Sequence, residues 1–314
     1  MRTLDVRFAI SVGAAAAAVS CLGCRSGPDS SPAPAAATGP LGSAASAPPS
    51  ADAAASTASF PVPRPSVEQV LNPAGLPAYE GPTGSVEGTI QVVGPPAPEV
   101  AVDVTRCPAA LDTYGKLFRA GPAASPNGPR PLADAVVVVT GYSGFYVKEK
   151  NEAVHVTIGT QCAYPSRTIA LTYGQSLEVS NRTGLLFAPL LEQGNSPAVM
   201  VAPPHENGEA VKIYPVQAGY FALTDRLQPF VHEALYVFRH PLHAVTDTAG
   251  HYRIDGLPVG KLKVGVHHPT VDADAEAPVD VVAGVTQKVD LTLTYKPKPK
   301  AKAAGLPPAR LRNN

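Results

Sequence analysis

The sequence predicts an all-β protein, two packed β-sandwiches between ends that do not fold. Three observations carry this. Alternating apolar and polar residues recur from residue 85 onward, as in SVEGTIQVVG at 85–94 and SLEVS at 176–180, and such alternation marks a strand with one buried face. AVVVVT at 135–140 is a continuous β-branched run, the pattern of a central strand covered on both faces. Thirty-five prolines and 27 glycines with no tryptophan indicate turn-rich β structure with unstructured linkers. At 314 residues there is room for two ordinary domains.

Taken in order, the chain opens with Arg2 and Arg7 ahead of an apolar run at 8–19, too short to span a membrane, and then Ser20-Cys21. This reads as a lipoprotein signal over 1–20 with Cys21 as the lipidated residue. Cys24 is the competing position, and a plain secretory signal is the other reading. Either way the chain is exported, and a lipid group would hold it to a membrane of the cell envelope without a transmembrane helix. Residues 21–84 read as a Pro/Ala/Ser-rich disordered tether, because such a segment buries too little apolar surface to offset its conformational entropy. VEQVL at 67–71 is expected to form a turn or two of helix.

The fold is expected to begin at residue 85, where Val86, Gly88, Ile90 and Val92 alternate with polar residues. A second strand is expected over 100–105, then a weakly amphipathic stretch or a strand at 111–119, a loop at 121–131 and the central strand at 135–140. Residues 142–150 read as an exposed polar hairpin or insertion. In 161–246, the sequence QCAYPSRTIALTYGQSLEVSN reads as strand, turn at Gly174, strand, with Leu177 and Val179 facing inward. Strands at 220–223 and 234–238 follow a long loop region at 187–211. After 246, Tyr252 and Ile254 alternate between turns at 247–250 and 256–260. Leu262, Val264 and Val266 share a face, and 279–282 with Val289, Leu291 and Leu293 closes the sheet. The tail from Lys296 is basic, proline-rich and expected to be unfolded, a solvated end or a contact for anionic lipid or polymer.

Lys+Arg and Asp+Glu both number 25, so no global charge favours nucleic acid or an acidic surface. The two cysteines of the folded part, Cys107 and Cys162, form one disulfide or remain as two buried thiols. Export favours the bridge.

The 161–246 stretch resembles the periplasmic cupredoxin-like proteins that run into a carboxypeptidase-regulatory-like β module. The resemblance rests on Cys162, Pro165, Gly174, Gln175, Leu177, Asn181, Pro229, His240-Pro241 and the run Ala244 to Asp247. It implies a Greek-key sandwich of cupredoxin type over 85–245. Gly250-x-Tyr252-x-Ile254 and Leu257-Pro258-x-Gly260 likewise resemble a transthyretin-like module over 246–295, with the first strand shared between the two. It also points to the Cys107–Cys162 bridge. The family's copper ligands are not matched. Phe187 stands where the first His belongs, Asp225 where the Cys belongs, Gln228 where the second His belongs and Val231 near the Met. A blue-copper site needs two imidazoles and a thiolate, so the expectation is a metal-free frame. Copper handling is the alternative that intact relatives imply.

Other chemistry is weakly marked. His232-Glu233 begins like a zinc-protease motif, but Tyr236 occupies the second histidine position. His240 and His243 lie three apart at a strand end, so joint ligation would need a bend. His205, His232 and His243 are the remaining candidates for metal. There is no G-x-S-x-G elbow and no basic–aromatic stripe for nucleic acid. The reading is a non-enzymatic, membrane-tethered envelope protein without a cofactor, its partner another envelope protein or polymer.

Overall fold

The computed structural model describes residues 61–123, 125, 128–192 and 201–297. The signal segment, Cys21, Cys24, most of the tether and the basic tail from 298 lie outside these. In chain order the elements are α1 (Arg64–Leu71), β1 (Thr83–Val93), α2 (Leu111–Tyr114), β2 (Arg130–Pro131), β3 (Val136–Thr140), β4 (Ala153–Ile158), β5 (Thr168–Thr172) and β6 (Ser176–Asn181). There follow β7 (Pro189–Leu191), β8 (Val211–Ile213), β9 (Gly219–Asp225), β10 (His232–Phe238), β11 (His243–Val245), β12 (His251–Pro258), β13 (Gly260–His268), β14 (Ala273–Val281), β15 (Thr286–Lys288) and β16 (Leu291–Thr294). The protein is all-β, with two hydrophobic cores.

The first core lies between the sheet β5-β10-β9-β7 and the sheet β4-β6-β8. Alternation builds it: Leu177 and Val179 of β6 are fully buried, as are Leu171 of β5, Leu223 of β9 and Leu235 of β10. The turn at Gly174, with φ at +96°, does not close a hairpin. It carries the chain from one sheet to the other, since β5 pairs with β10 and β6 with β4 and β8.

The second core is organised by β1. Val86, Ile90 and Val92 are fully buried on its inner face. β12 runs antiparallel along one edge; β15 and then β16 run parallel along the other. The handover between them falls at Gly88, where a Cβ would stand 1.9 Å from the Val289 carbonyl oxygen, so only glycine admits this approach. The facing sheet is β11-β3-β13-β14. β3 is central in it, as its β-branched run predicts, and Pro278 is tolerated because β14 is an edge strand.

Four expectations change. β2, β3 and β11 belong with β1 in the second sandwich, so it is not confined to 246–295 plus one shared strand, and the first sandwich is correspondingly smaller than 85–245. The tether is shorter than 21–84: α1 forms, and Val62, Val67, Val70 and Leu71 pack on the first core. Residues 100–105 are not a strand; Val102 and Val104 rest on the first core without a backbone ladder beyond the bridge Glu99–Lys116. Of the two readings of 142–150, hairpin or insertion, the hairpin does not form: the segment is a loop, with the Phe145 ring against Tyr79 at 4.6 Å and Tyr142 at 5.5 Å.

The disulfide joins Cys107 to Cys162, 55 residues apart, and ties the 100–110 segment to the loop ahead of β5. Closing a loop of that length is worth about 4 kcal/mol in the chain-entropy model. The double variant Cys107→Ser, Cys162→Ser is therefore expected to lose about 2–4 kcal/mol of unfolding free energy, measured by urea denaturation against the oxidised protein.

Candidate functional site

Phe187, Asp225, Gln228 and Val231, the four positions that the sequence resemblance sets against copper ligands, come together at one end of the first sandwich, and all are buried. Asp225 closes β9 on the same inward face as Phe221 and Leu223. Its Oδ2 accepts the Ala188 N–H at 2.6 Å, and its Oδ1 accepts the Leu227 and Gln228 N–H groups at 2.8 and 2.9 Å. Gln228 Nε2 donates to the Leu186 carbonyl at 2.9 Å. Phe187 and Val231 are hydrocarbon side chains buried in the first core. Burial raises the Asp225 carboxyl above its ordinary range, against the pull of the three backbone donors. Asp225 thus holds the 186–188 loop to the 225–228 turn. Two hydrocarbon side chains, an amide and a carboxylate already bound to three N–H groups do not make a blue-copper donor set.

The candidate histidines are scattered. His205 sits exposed in a 3-10 turn with φ at +57°, and His232 is exposed on β10. His243 lies on β11, its Nε2 3.2 Å from Thr172 Oγ1 and its ring stacked on Phe238 at 4.8 Å. The Pro241 corner supplies the bend that joint contact requires, so His240 also meets Phe238, at 6.0 Å. Burial pushes His240 down to about 4; burial and the neighbouring His240 push His243 down to about 3. Among the described residues, no three His, Cys, Asp or Glu side chains are grouped to hold a metal ion.

A second concentration of polar groups lies where the sandwiches meet. Asp134, immediately before β3, is 2 % exposed and has φ at +64°. Arg119 grips it with two hydrogen bonds, Nε to Oδ2 at 2.7 Å and Nη2 to Oδ1. Ser166 Oγ and the Arg167 N–H each donate to Oδ1 at 2.8 Å from the loop leading into β5. Arg119 also donates to the Pro165 carbonyl, and Arg167 Nη1 to those of Lys116 and Leu117. Burial alone would raise the Asp134 carboxyl, but Arg119 and the other donors hold it below the usual carboxylate range. Nothing in the spacing of these residues marks them as partners.

Glu233 was readable. Counting back from Leu235 and Val237 on β10 places it on the core face, and it is fully buried. The Tyr114 hydroxyl donates to its Oε1 at 2.5 Å, while Oε2 and the buried Tyr164 hydroxyl have no hydrogen-bond partner among the described residues. Burial pushes the Glu233 carboxyl up to about 8.

No protein-family model and no curated protein matches the chain. Solved structures of amicyanin overlap part of it. Amicyanin from Paracoccus versutus is 16% identical over 28% of this chain and 84% of its own, with a TM-score of 0.24. A reduced point variant of amicyanin is 14% identical over 27% and 81%, TM-score 0.24. A Cu(I) point variant is 17% identical over 27% and 82%, TM-score 0.23. Overlap this partial assigns no ligand, and the sandwiches are defined by the strand pairing itself.

The buried groups set a pH profile. His240, His243 and His268 have folded pKa values depressed below 6.5 by burial, so the stability tied to their neutral forms is present above pH 6.5 and lost as pH falls toward 4. Glu233 has the opposite sign. Its pKa is raised from 4.5 to about 8, so its contribution is full below 4.5 and lost as pH rises through 8. Between pH 6.5 and 8 it dominates, and unfolding free energy is expected to fall by up to about 1.4 kcal/mol per pH unit. Glu233→Gln should flatten that limb in urea melts across the same window.

Proposed function

We propose that this chain is a non-enzymatic, lipid-tethered protein of the cell envelope, its two sandwiches forming a binding module on a cupredoxin-like frame that holds no copper. The observation that carries the reading is the Asp225 turn. At the end of the sandwich where the resemblance would place a metal, the carboxylate is bound to three backbone N–H groups and flanked by Phe187 and Val231. On this reading the Asp225 carboxylate serves there as a loop clasp rather than as a ligand. The disulfide Cys107–Cys162 supports an oxidising compartment, and the signal-like segment ending at Cys21 supports export with a lipid anchor. The non-enzymatic part is supported by Tyr236 in place of a second zinc-binding histidine and by Asp134, whose charge is committed to Arg119. The frame's remaining use is recognition.

Two measurements test this. The full chain, purified and incubated with Cu(II), is expected to retain less than about a tenth of an equivalent of copper after desalting and to show no thiolate-to-copper absorption in the visible. One bound equivalent, or a blue protein, would overturn the metal-free reading. Expressed with its own N-terminus in a diderm bacterium, the chain is expected in the membrane fraction, and Cys21→Ser should release it to the soluble fraction. Retention of that variant, with release by Cys24→Ser instead, moves the anchor to Cys24. Release of neither sinks the lipoprotein reading.

A further inference from the structure

The segment 100–115 is a loop closed on itself. The Val100 N–H donates to the Gly115 carbonyl at 2.9 Å and the Leu117 N–H to the Pro98 carbonyl at 2.9 Å, so its two ends are bonded to each other. Such a closed excursion is an Ω-loop. Within it, Cys107 donates to Val104, Ala110 to Cys107 and Gly115 to Leu111. Among the described residues, its backbone between 101 and 114 forms no hydrogen bond to the rest of the protein. Side chains alone hold it on the first core. Val102, Val104, Ala110 and Tyr114 pack there, and the Cys107–Cys162 disulfide is the covalent tie.

The disulfide also brackets the Glu233 cluster, with Tyr114 following Cys107 on one arm and Tyr164 following Cys162 on the other. Tyr114 Oη donates to Glu233 Oε1 at 2.5 Å and receives the Tyr164 N–H at 3.4 Å. Its ring lies 5.6 Å from that of Phe230, with the Arg167 guanidinium 5.9 Å away. Glu233 Oε2 and the Tyr164 hydroxyl stay buried without a hydrogen-bond partner among the described residues, a cost that contact with water would remove. Burial raises the Glu233 carboxyl to about 8 against the Tyr114 hydrogen bond and the Arg167 and Arg119 charges, with Asp134 adding to the rise. Reductants can reach this arrangement from one side. Cys107 is half-buried, whereas Cys162 is 3 % exposed.

We propose that Cys107–Cys162 is a redox latch: a reducing dithiol opens it, the 100–115 loop lifts away with Tyr114, and Glu233 meets water and ionises. A thiolate of the dithiol attacks Cys107 Sγ, the Sγ–Sγ bond breaks toward Cys162, and the second thiol closes the reductant into its own disulfide. Two electrons and two protons pass to the cysteines, which end as thiols. Glu233 then releases its proton to solvent. The two events are linked. In the oxidised protein Glu233 keeps its proton up to about pH 8, whereas a solvated glutamate releases it near 4.5. Between those values the reduced form holds one proton fewer at Glu233, so rising pH favours reduction.

The test equilibrates the full chain with a fixed ratio of reduced to oxidised dithiothreitol from about pH 5.5 to 7.5, where thiols stay largely protonated. Alkylation and mass spectrometry count the reduced fraction. The ratio of reduced to oxidised protein is expected to rise close to tenfold per pH unit, and to be flat in Glu233→Gln. Hydrogen exchange of the reduced chain is expected to lose protection over 100–115 while β10, β12 and β13 keep theirs. A pH-independent ratio in the parent, an undiminished slope in Glu233→Gln, or full protection of 100–115 after reduction would each overturn the proposal. So would loss of protection across both cores, which would make the disulfide a staple of the whole fold. The exchange measurement uses the parent chain and decides the case even where Glu233→Gln does not fold.

Discussion

The carboxylate of Asp134 is the constraint on which the arrangement of the two sandwiches depends. It sits at the entrance to β3, the central strand of one sheet of the second sandwich, and accepts from Arg119, Ser166 and the Arg167 backbone at the entrance to β5 of the first. A charge this deeply buried costs several kcal/mol unless it is paired and its lone pairs are filled. Here Arg119 pairs it and two further donors fill it. Take away any one of these contacts and the penalty falls on the junction rather than on either core. That is why the segments 116–119, 133–134 and 165–168 share hydrogen bonds as one unit, although they lie on different strands and loops.

That junction is needed because the second sandwich is discontinuous in sequence. β1 enters it first, β3 crosses it next, and the chain then builds the strands of the first sandwich, β4 to β10, before returning through β11. β15 and β16 finally pair in parallel with β1, bringing the C-terminal strands back to the first strand of the fold. Such pairing is long-range, so loop closure must precede its reward. A cut near residue 245 would separate β1 and β3 from the strands that complete their sheets, dividing the second core while leaving the first, whose residues all precede 238, in one piece.

Much of this was legible in the sequence, and the division follows physical lines. β1, β6, β12 and β13 announced themselves because one face of each is buried and the alternation records it. β3 was legible as a buried run. Which strands pair was not, since alternation fixes a face and says nothing about a neighbour. The 100–105 stretch shows the limit: Val102 and Val104 do pack inward, yet their backbone joins no sheet among the described residues. Partnered charges were the least legible. Asp134 bonds Arg119 at a separation of 15 residues and the Arg167 backbone at 33, and no local pattern relates them. The placement of Phe187, Asp225, Gln228 and Val231 at one end of the sandwich was readable only through resemblance to a family; their hydrogen bonding was not.

Glu233 bears on how such a protein should be read for activity. A carboxyl raised to about 8 is often a sign of a general acid or base. Two features argue for a different reading here. The shift comes first from burial, and the carboxyl is fully buried, held against the Tyr114 hydroxyl inside the first core. A catalytic acid must also lie within hydrogen-bond reach of a substrate, whereas Glu233 reaches only protein. The exposed face of β10 belongs to His232, which lines a cavity at the junction of the sandwiches. Strand alternation therefore places an unusual acid and an open cavity on opposite sides of the same backbone. The perturbed group therefore bears on stability rather than on the cavity.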